Sequence, residues 1–182
     1  MLGQEFAPFR TRKTITLGQT SGVTLISDEL NVPSKQQIMA LINPYLTFNG
    51  NCDEAFAFYT SVFGGQFLTL SKFKDMPPIE GHELPESAKE KIMHVSLPIS
   101  KETILMGSDA NPLMGRVTTG QNVSLSVTAE SKNEADRIFT RLSEGGKITM
   151  PIADTFWGAY FGMLVDKFGI IWMVNFGYPK KD

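Results

Sequence analysis

Two histidines and one cysteine are the only side chains of their types in this 182-residue chain, so groups suited to proton transfer or nucleophilic attack near neutral pH are few. His94 sits in the middle of Ile92–Ile99. Along that run Met93, Val95, Leu97 and Ile99 alternate with Ile92, His94, Ser96 and Pro98. Imidazole is the side chain best suited to acid–base work at neutral pH. On the small, polar face of a strand, His94 is either a satisfied core group or a general base or ligand-orienting donor. His82 lies beside Glu80 and Glu83 in a charged loop, where solvent is the simpler partner. Cys52 falls in the first turn of a helix, which favours a thiolate, but Asp53 and Glu54 oppose that, and the thiol reads as inert. Asp109, in Gly107-Ser108-Asp109-Ala110, follows the end of a strand. Its carboxylate either bonds its own turn or offers a polar contact at the mouth of a cavity. Phe156, Trp157, Tyr160, Phe161 and Trp172 crowd the C-terminal third, and packing absorbs most of such rings. Trp157, before Gly158 at a strand start, is placed to wall a cavity while its N–H finds a partner. Tyr45 alternates with Pro44 and Leu46 and is expected to point away from any cup. No Gly-rich phosphate loop and no Ser/His/Asp order stands out.

Regular patterning positions these residues between 40 and 178. Ile42–Phe48 reads as a strand. Asn51 with Glu54 has the spacing of a capping box, and Ala55, Phe58, Tyr59 and Val62 follow at helical spacing until Gly64-Gly65. The same grammar returns at Val123–Thr128, Ser131 with Glu134, Ala135, Ile138, Phe139 and Leu142, and Gly145-Gly146. The glycine pairs lie 81 residues apart. Three extended segments follow each helix: Phe67–Lys74, Ile92–Ile99 and Thr103–Gly107, then Lys147–Ala153, Gly158–Val165 and Ile170–Phe176. The chain therefore reads as a duplicated strand–helix–strand–strand–strand module, at about 40–115 and 120–178. The fold class is α+β, with two βαβββ modules pairing into a curved mixed-sheet cup. The first module carries an extra loop, Asp75–Glu90, expected on the surface.

Composition narrows the partners. Seventeen Lys and Arg against nineteen Asp and Glu leave a net charge of −2, which favours neither nucleic acid nor an anionic membrane. One cysteine excludes an internal disulfide and a multi-cysteine metal site. No apolar run approaches the roughly 20 residues that span a bilayer. The first residues, MLGQEFAPFR, lack a signal pattern, and a cytoplasmic setting is expected.

The strings INPYLTFNGNCDEAFAFYTSVFGG, ILMGSDA and DTFWGAYFGMLVDKFGIIWMVN give the chain a resemblance to a known family. Over about residues 40–178 it resembles the vicinal oxygen chelate superfamily (glyoxalase I, bleomycin-resistance proteins, extradiol dioxygenases), and within it the PhnB-like branch. The resemblance implies paired βαβββ modules, usually in a homodimer. In metal-dependent members it also implies one divalent ion held by His, Gln or Glu on the first and last strands of each module. Registered on Phe58-Tyr59, those positions fall on or next to Pro44, on Leu105 or Met106, on Ser124 or a neighbour, and on Met173. Thioether and hydroxyl are poor donors for Mg, Mn, Fe or Zn, so no metal and no cofactor is expected. Members of the branch often carry glyoxalase or demethylubiquinone methyltransferase labels, yet no Gly-rich loop for S-adenosylmethionine is visible.

The reading that results is metal-independent binding of a small apolar or aromatic molecule between the sheets. Met106, Asp109, Ser124, Trp157, Met173 and Asn175 contact the ligand, with Asn175 at the parity of Met173, and His94 orients it. The alternative is an isomerase, lyase or transferase with His94 as its catalytic acid/base; a metal-dependent glyoxalase or dioxygenase is a third. The domain proper is expected over 39–182. Residues 1–38 hold two strand-like runs, Thr14–Leu17 and Val23–Ile26. They read as an added hairpin or arm, as a leader of foreign or mis-started origin, or, by a faint similarity of TITLGQTSGVTLISDEL, as a swapped-hairpin antitoxin element.

Overall fold

Asn51 and Ser131 each end an extended segment and begin a helix of 12 residues, α1 (Cys52–Phe63) and α2 (Lys132–Ser143). The computed structural model describes residues 41–78, 81 and 83–179, so the N-terminal hairpin reading and His82 lie outside the described residues. Ser131 caps α2 as its sequence predicts, its hydroxyl accepting from the Glu134 amide at 3.1 Å. The Glu134 carboxylate reaches back one residue further than a capping box requires, to the Glu130 amide at 2.9 Å. At α1 the cap comes from elsewhere. Asn51 makes no side-chain cap bond. The Glu54 amide is taken by Asp53 at 2.9 Å, and Asp109 accepts from the amides of Cys52, the first helical residue, and Gly50 at 3.0 and 2.9 Å.

Each helix follows the first strand of a four-stranded mixed sheet. Strands β1 (Tyr45–Phe48), β2 (Thr69–Lys72), β3 (Ile92–Pro98) and β4 (Ile104–Asp109) assemble in the order β1-β4-β3-β2. Strands β5 (Leu125–Thr128), β6 (Lys147–Asp154), β7 (Ala159–Val165) and β8 (Ile171–Gly177) assemble as β5-β8-β7-β6. The first and last strands of each module are parallel and the other pairings antiparallel. This is the expected α+β architecture of two βαβββ modules. Strand β1 is shorter than Ile42–Phe48 predicts, because pairing with β4 begins only at Tyr45.

One face of each sheet packs under its helix. Val95, Leu97 and Leu105 meet Ala55, Phe56, Tyr59 and Val62 in the core of the first module. Leu164, Trp172 and Val174 meet Ala135, Ile138, Phe139 and Leu142 in the second. Both sheets thin at a glycine to admit an aromatic ring. A Cβ on Gly107 would stand 2.5 Å from the Phe56 ring, and one on Gly162 would stand 2.7 Å from Phe139. Ile92 departs from the predicted alternation and joins the core. The β2–β3 ladder slips between Ser71 and Lys72, opposite His94 and Ile92, and such an extra residue turns the following side chain to the other face.

The modules share one hydrophobic cluster. Phe168, in the turn between β7 and β8, packs on Phe48, Phe58 and Tyr59, with ring centroids 5.7–6.3 Å apart. Asp166 in the same turn accepts from the Tyr59 hydroxyl and the Trp172 indole, each at 2.8 Å, and from the Phe168 and Ile170 amides. Burial, and then the Asp166 charge, pushes the Tyr59 hydroxyl well above its usual range, so it stays a donor.

Candidate functional site

The faces turned away from the helices are where a ligand can approach, and strand register fixes what they carry. On the first sheet Tyr45, Met106 and Ser96 lie side by side across β1, β4 and β3, continuing to Thr69 on β2. His94, two residues before Ser96, shares their face, because alternate residues of a strand point the same way. Tyr45 reaches across β4 to stack on the His94 ring, with centroids 5.8 Å apart and planes 27° apart, and its hydroxyl is 3.4 Å from His94 Nδ1. The expectation that Tyr45 points away from the cup is therefore corrected. That expectation takes Pro44 as a strand residue, whereas the strand starts at Tyr45.

On the second sheet Ser126, Met173, Met163 and Met150 form one row across β5, β8, β7 and β6. Thr128, Asn175, Phe161 and Ala153 form the next. The three methionines are half-buried and lie on adjacent strands, a polarisable apolar floor able to follow the outline of a flat molecule. Trp157, in the β6–β7 turn, is 52% exposed, and its ring stands edge-on to Phe161 at 6.0 Å. It extends the Asn175–Phe161 row. Ser124 is half-buried just before β5 begins, at the parity of Ser126.

Of the residues singled out from the sequence, His94 and Met106 thus share the open face of the first sheet, and Met173 and Asn175 that of the second. Trp157 and Ser124 lie at its borders. Asp109 does not join them. It is 3% exposed on the helix side of β4. Its two carboxylate oxygens accept from Gly50, Cys52 and, at 2.9 Å, Ile92. It caps α1 and is not free for a ligand. Cys52 is fully buried. Burial, then the charges of Asp109 and Asp53, push its thiol far up, so it is inert, in keeping with its sequence.

The positions where the resemblance places metal ligands resolve to Met106, since Leu105 is fully buried on the helix side, together with Ser124, Met173 and the β1 start at Pro44 and Tyr45. Two thioethers and hydroxyls do not fit Mg, Mn, Fe or Zn, which take imidazole or carboxylate. Among the described residues no three of His, Cys, Asp and Glu gather.

A cavity of about 690 Å³ lies elsewhere, along the seam between β1 and β5. Its walls include Tyr45, Asn49, Asn51, Arg116, Asn122 and Phe168, and none of the candidate site residues named from the sequence. Nothing in the local pattern of residues 110–124 singles out this segment, because its position depends on how the modules meet. Among the described residues no helix is long and apolar enough to cross a membrane.

Similarity to known proteins bears on identity. Residues 40–175 match the family described as 3-demethylubiquinone-9 3-methyltransferase. Protein YjdN of Escherichia coli K12 is 34% identical over 143 residues, covering 74% of this chain and 93% of that protein. The crystal structure of protein PA1353 from Pseudomonas aeruginosa is similar with a TM-score of 0.67 and 42% identity, over 76% of this chain and 98% of that one. A PhnB protein from Bacillus cereus matches at a TM-score of 0.58 and 27% identity, over 75% and 98%. The matched span, the duplicated βαβββ module and the open faces it presents make this chain a member of the 3-demethylubiquinone-9 3-methyltransferase family, in the PhnB-like branch of the vicinal oxygen chelate superfamily.

Proposed function

We propose that this chain binds a small apolar or aromatic molecule, without a metal, on the open faces of its two sheets, working in the cytosol as a homodimer. The observation that carries the reading is the makeup of those faces. A stacked Tyr45–His94 pair stands on one sheet. A Met150–Met163–Met173 row, bordered by Phe161 and Trp157, crosses the other. A contiguous apolar surface with a few hydrogen-bonding groups is what an apolar ligand requires. Ser126 and Asn175 supply polar groups beside it, and His94 offers a ring nitrogen.

The test is a thermal-shift screen of aromatic compounds followed by tryptophan fluorescence. Trp157 is half exposed and Trp172 is 1% exposed. A true ligand quenches the emission of Trp157 and loses that effect in Trp157→Phe. A ligand at 100-fold its dissociation constant adds about 2.7 kcal/mol of stability. The reading fails if no compound both stabilises the protein and quenches Trp157.

One observation favours a catalytic variant. The Tyr45 hydroxyl faces the His94 ring on an accessible surface, an arrangement able to pass a proton between a bound molecule and the protein. Turnover of a binding compound that His94→Ala abolishes, with binding retained, would establish an isomerase, lyase or transferase in place of simple sequestration.

A further inference from the structure

The seam cavity is built differently from the open faces. We propose that it is a second binding site, for a small organic anion: a carboxylate or phosphate ester bearing an apolar group, gripped by Arg116 and Asn51. Tyr45 borders both this cavity and the open face, but none of the reasons below rests on the open-face reading.

Charge gives the first reason. Among the described residues Arg116 is the only charged one lining the cavity; on its other side Arg116 borders a smaller cleft shared with Lys91 and Asp109, whose carboxylate is already taken by three amides. Among the described residues it forms no ion pair. A guanidinium at a cleft lined otherwise by neutral polar and apolar groups attracts anions, and its planar fork matches carboxylate and phosphate.

The second reason comes from capping. Asn51 stands at the N-cap of α1, where its amide would ordinarily satisfy a backbone N–H. The Glu54 amide, which an N-cap side chain would serve, is taken by Asp53 Oδ1 at 2.9 Å, and Asp109 accepts from the Gly50 and Cys52 amides. Asn51 makes no cap bond and lines the cavity. Asn49, two residues earlier, is fully used. It donates to the Val117 carbonyl and accepts from the Val117 amide, both at 3.0 Å. That double bond fixes the segment next to Arg116 before any ligand arrives, which lowers the ordering cost of binding.

The third reason is size and the remaining wall. The volume, about 690 Å³, lies within the range of roughly 300–1,000 Å³ typical of small-molecule sites. Phe168, Ile170 and Val123 offer an apolar surface, so the ligand is an anion with a hydrocarbon part and not a bare ion.

The experiment uses the full chain labelled with 15N and three probes of one size: benzoate, phenyl phosphate and the uncharged benzamide. Binding of benzoate or phenyl phosphate should shift the amides of Asn51, Val117 and Thr118, and whichever binds more tightly names the head group. Arg116→Gln should weaken that binding by about tenfold or more, the loss expected of a charge-assisted pair. Arg116→Lys should recover part of it, because it keeps the charge and loses the fork. Arg116 is exposed and forms no ion pair among the described residues, so Arg116→Gln should melt like the parent. The proposal is overturned if neither anion shifts those amides, if Arg116→Gln binds as tightly as the parent, or if benzamide binds equally well.

Discussion

Asp109 and Asp166 keep carboxylates inside the protein because donors surround each of them. Asp109 serves three backbone amides. Asp166 serves two amides, a phenol and an indole. Hydrogen bonds to a charged group contribute about 1.5–3 kcal/mol each, and a partner left unpaired in the interior costs a similar amount. Tyr59→Phe should therefore lower unfolding stability by about that much, measured by urea denaturation. Trp172 should remain buried, because the ring of residue 59 still fills its place. Asp109→Asn should also destabilise, since an amide NH₂ cannot accept and leaves either the Ile92 amide or the Gly50 and Cys52 amides without a partner; an unchanged denaturation midpoint would contradict its role as a buried acceptor. At this scale the sequence reveals residue types more readily than their duties. Asp109 in a strand-end turn reads as able to meet a ligand. Only the fold shows that its nearest donors are the first amides of α1, 57–59 residues away in the chain.

The elements depend on two close approaches and on one exposed ion cluster. Phe56 of α1 sits over Gly107, and Phe139 of α2 over Gly162, at distances that leave no room for a methyl group. Gly107→Ala or Gly162→Ala should cost about 1–3 kcal/mol through overpacking, read as a lower melting temperature. A methyl on Gly177, which meets nothing within 4 Å, is the control. Between β2 and β3, Glu90 accepts from Lys72 at 2.6 Å and Lys74 at 2.7 Å, and these bonds hold its carboxyl down at about 2. A carboxyl held below its unfolded value adds stability above that value, 4.5, and loses it as pH falls toward 2. Glu90→Gln should consequently lower the melting temperature slightly at pH 7 and not at all near pH 2. The effect stays small because the pair is exposed and screened. A difference that persists at pH 2 would assign the loss to something other than this ion pair.

For the whole molecule, Tyr59–Asp166, the Phe168 ring stack and the Arg137 guanidinium on the Val62 carbonyl at 2.8 Å join the first module to the second. The buried residues under the two helices run together into one cluster. Residues 41–179 should unfold in one transition, with buried Trp172 fluorescence and far-ultraviolet circular dichroism coinciding. Two separated midpoints would mean that the modules fold independently. The seam that these contacts create is also where Arg116 and Asn51 meet one cavity, so a weakened Tyr59–Asp166 joint should loosen anion binding there as well.

The duplicated module was legible from the chain alone, because helix caps, glycine stops and apolar periodicity are local and each is set by a few neighbouring residues. That local grammar also assigns His94 to the polar face of its strand, whereas Met106 (with Leu105 as the alternative), Met173 and, by parity, Asn175 come from the family resemblance. Where strands begin, which carboxylate caps α1, the turn of Ile92 into the core and the stacking of Tyr45 on His94 were decided only in three dimensions. Each depends on the register of β1 with β4 or of β2 with β3, and register is a pairing between segments tens of residues apart that no single segment encodes.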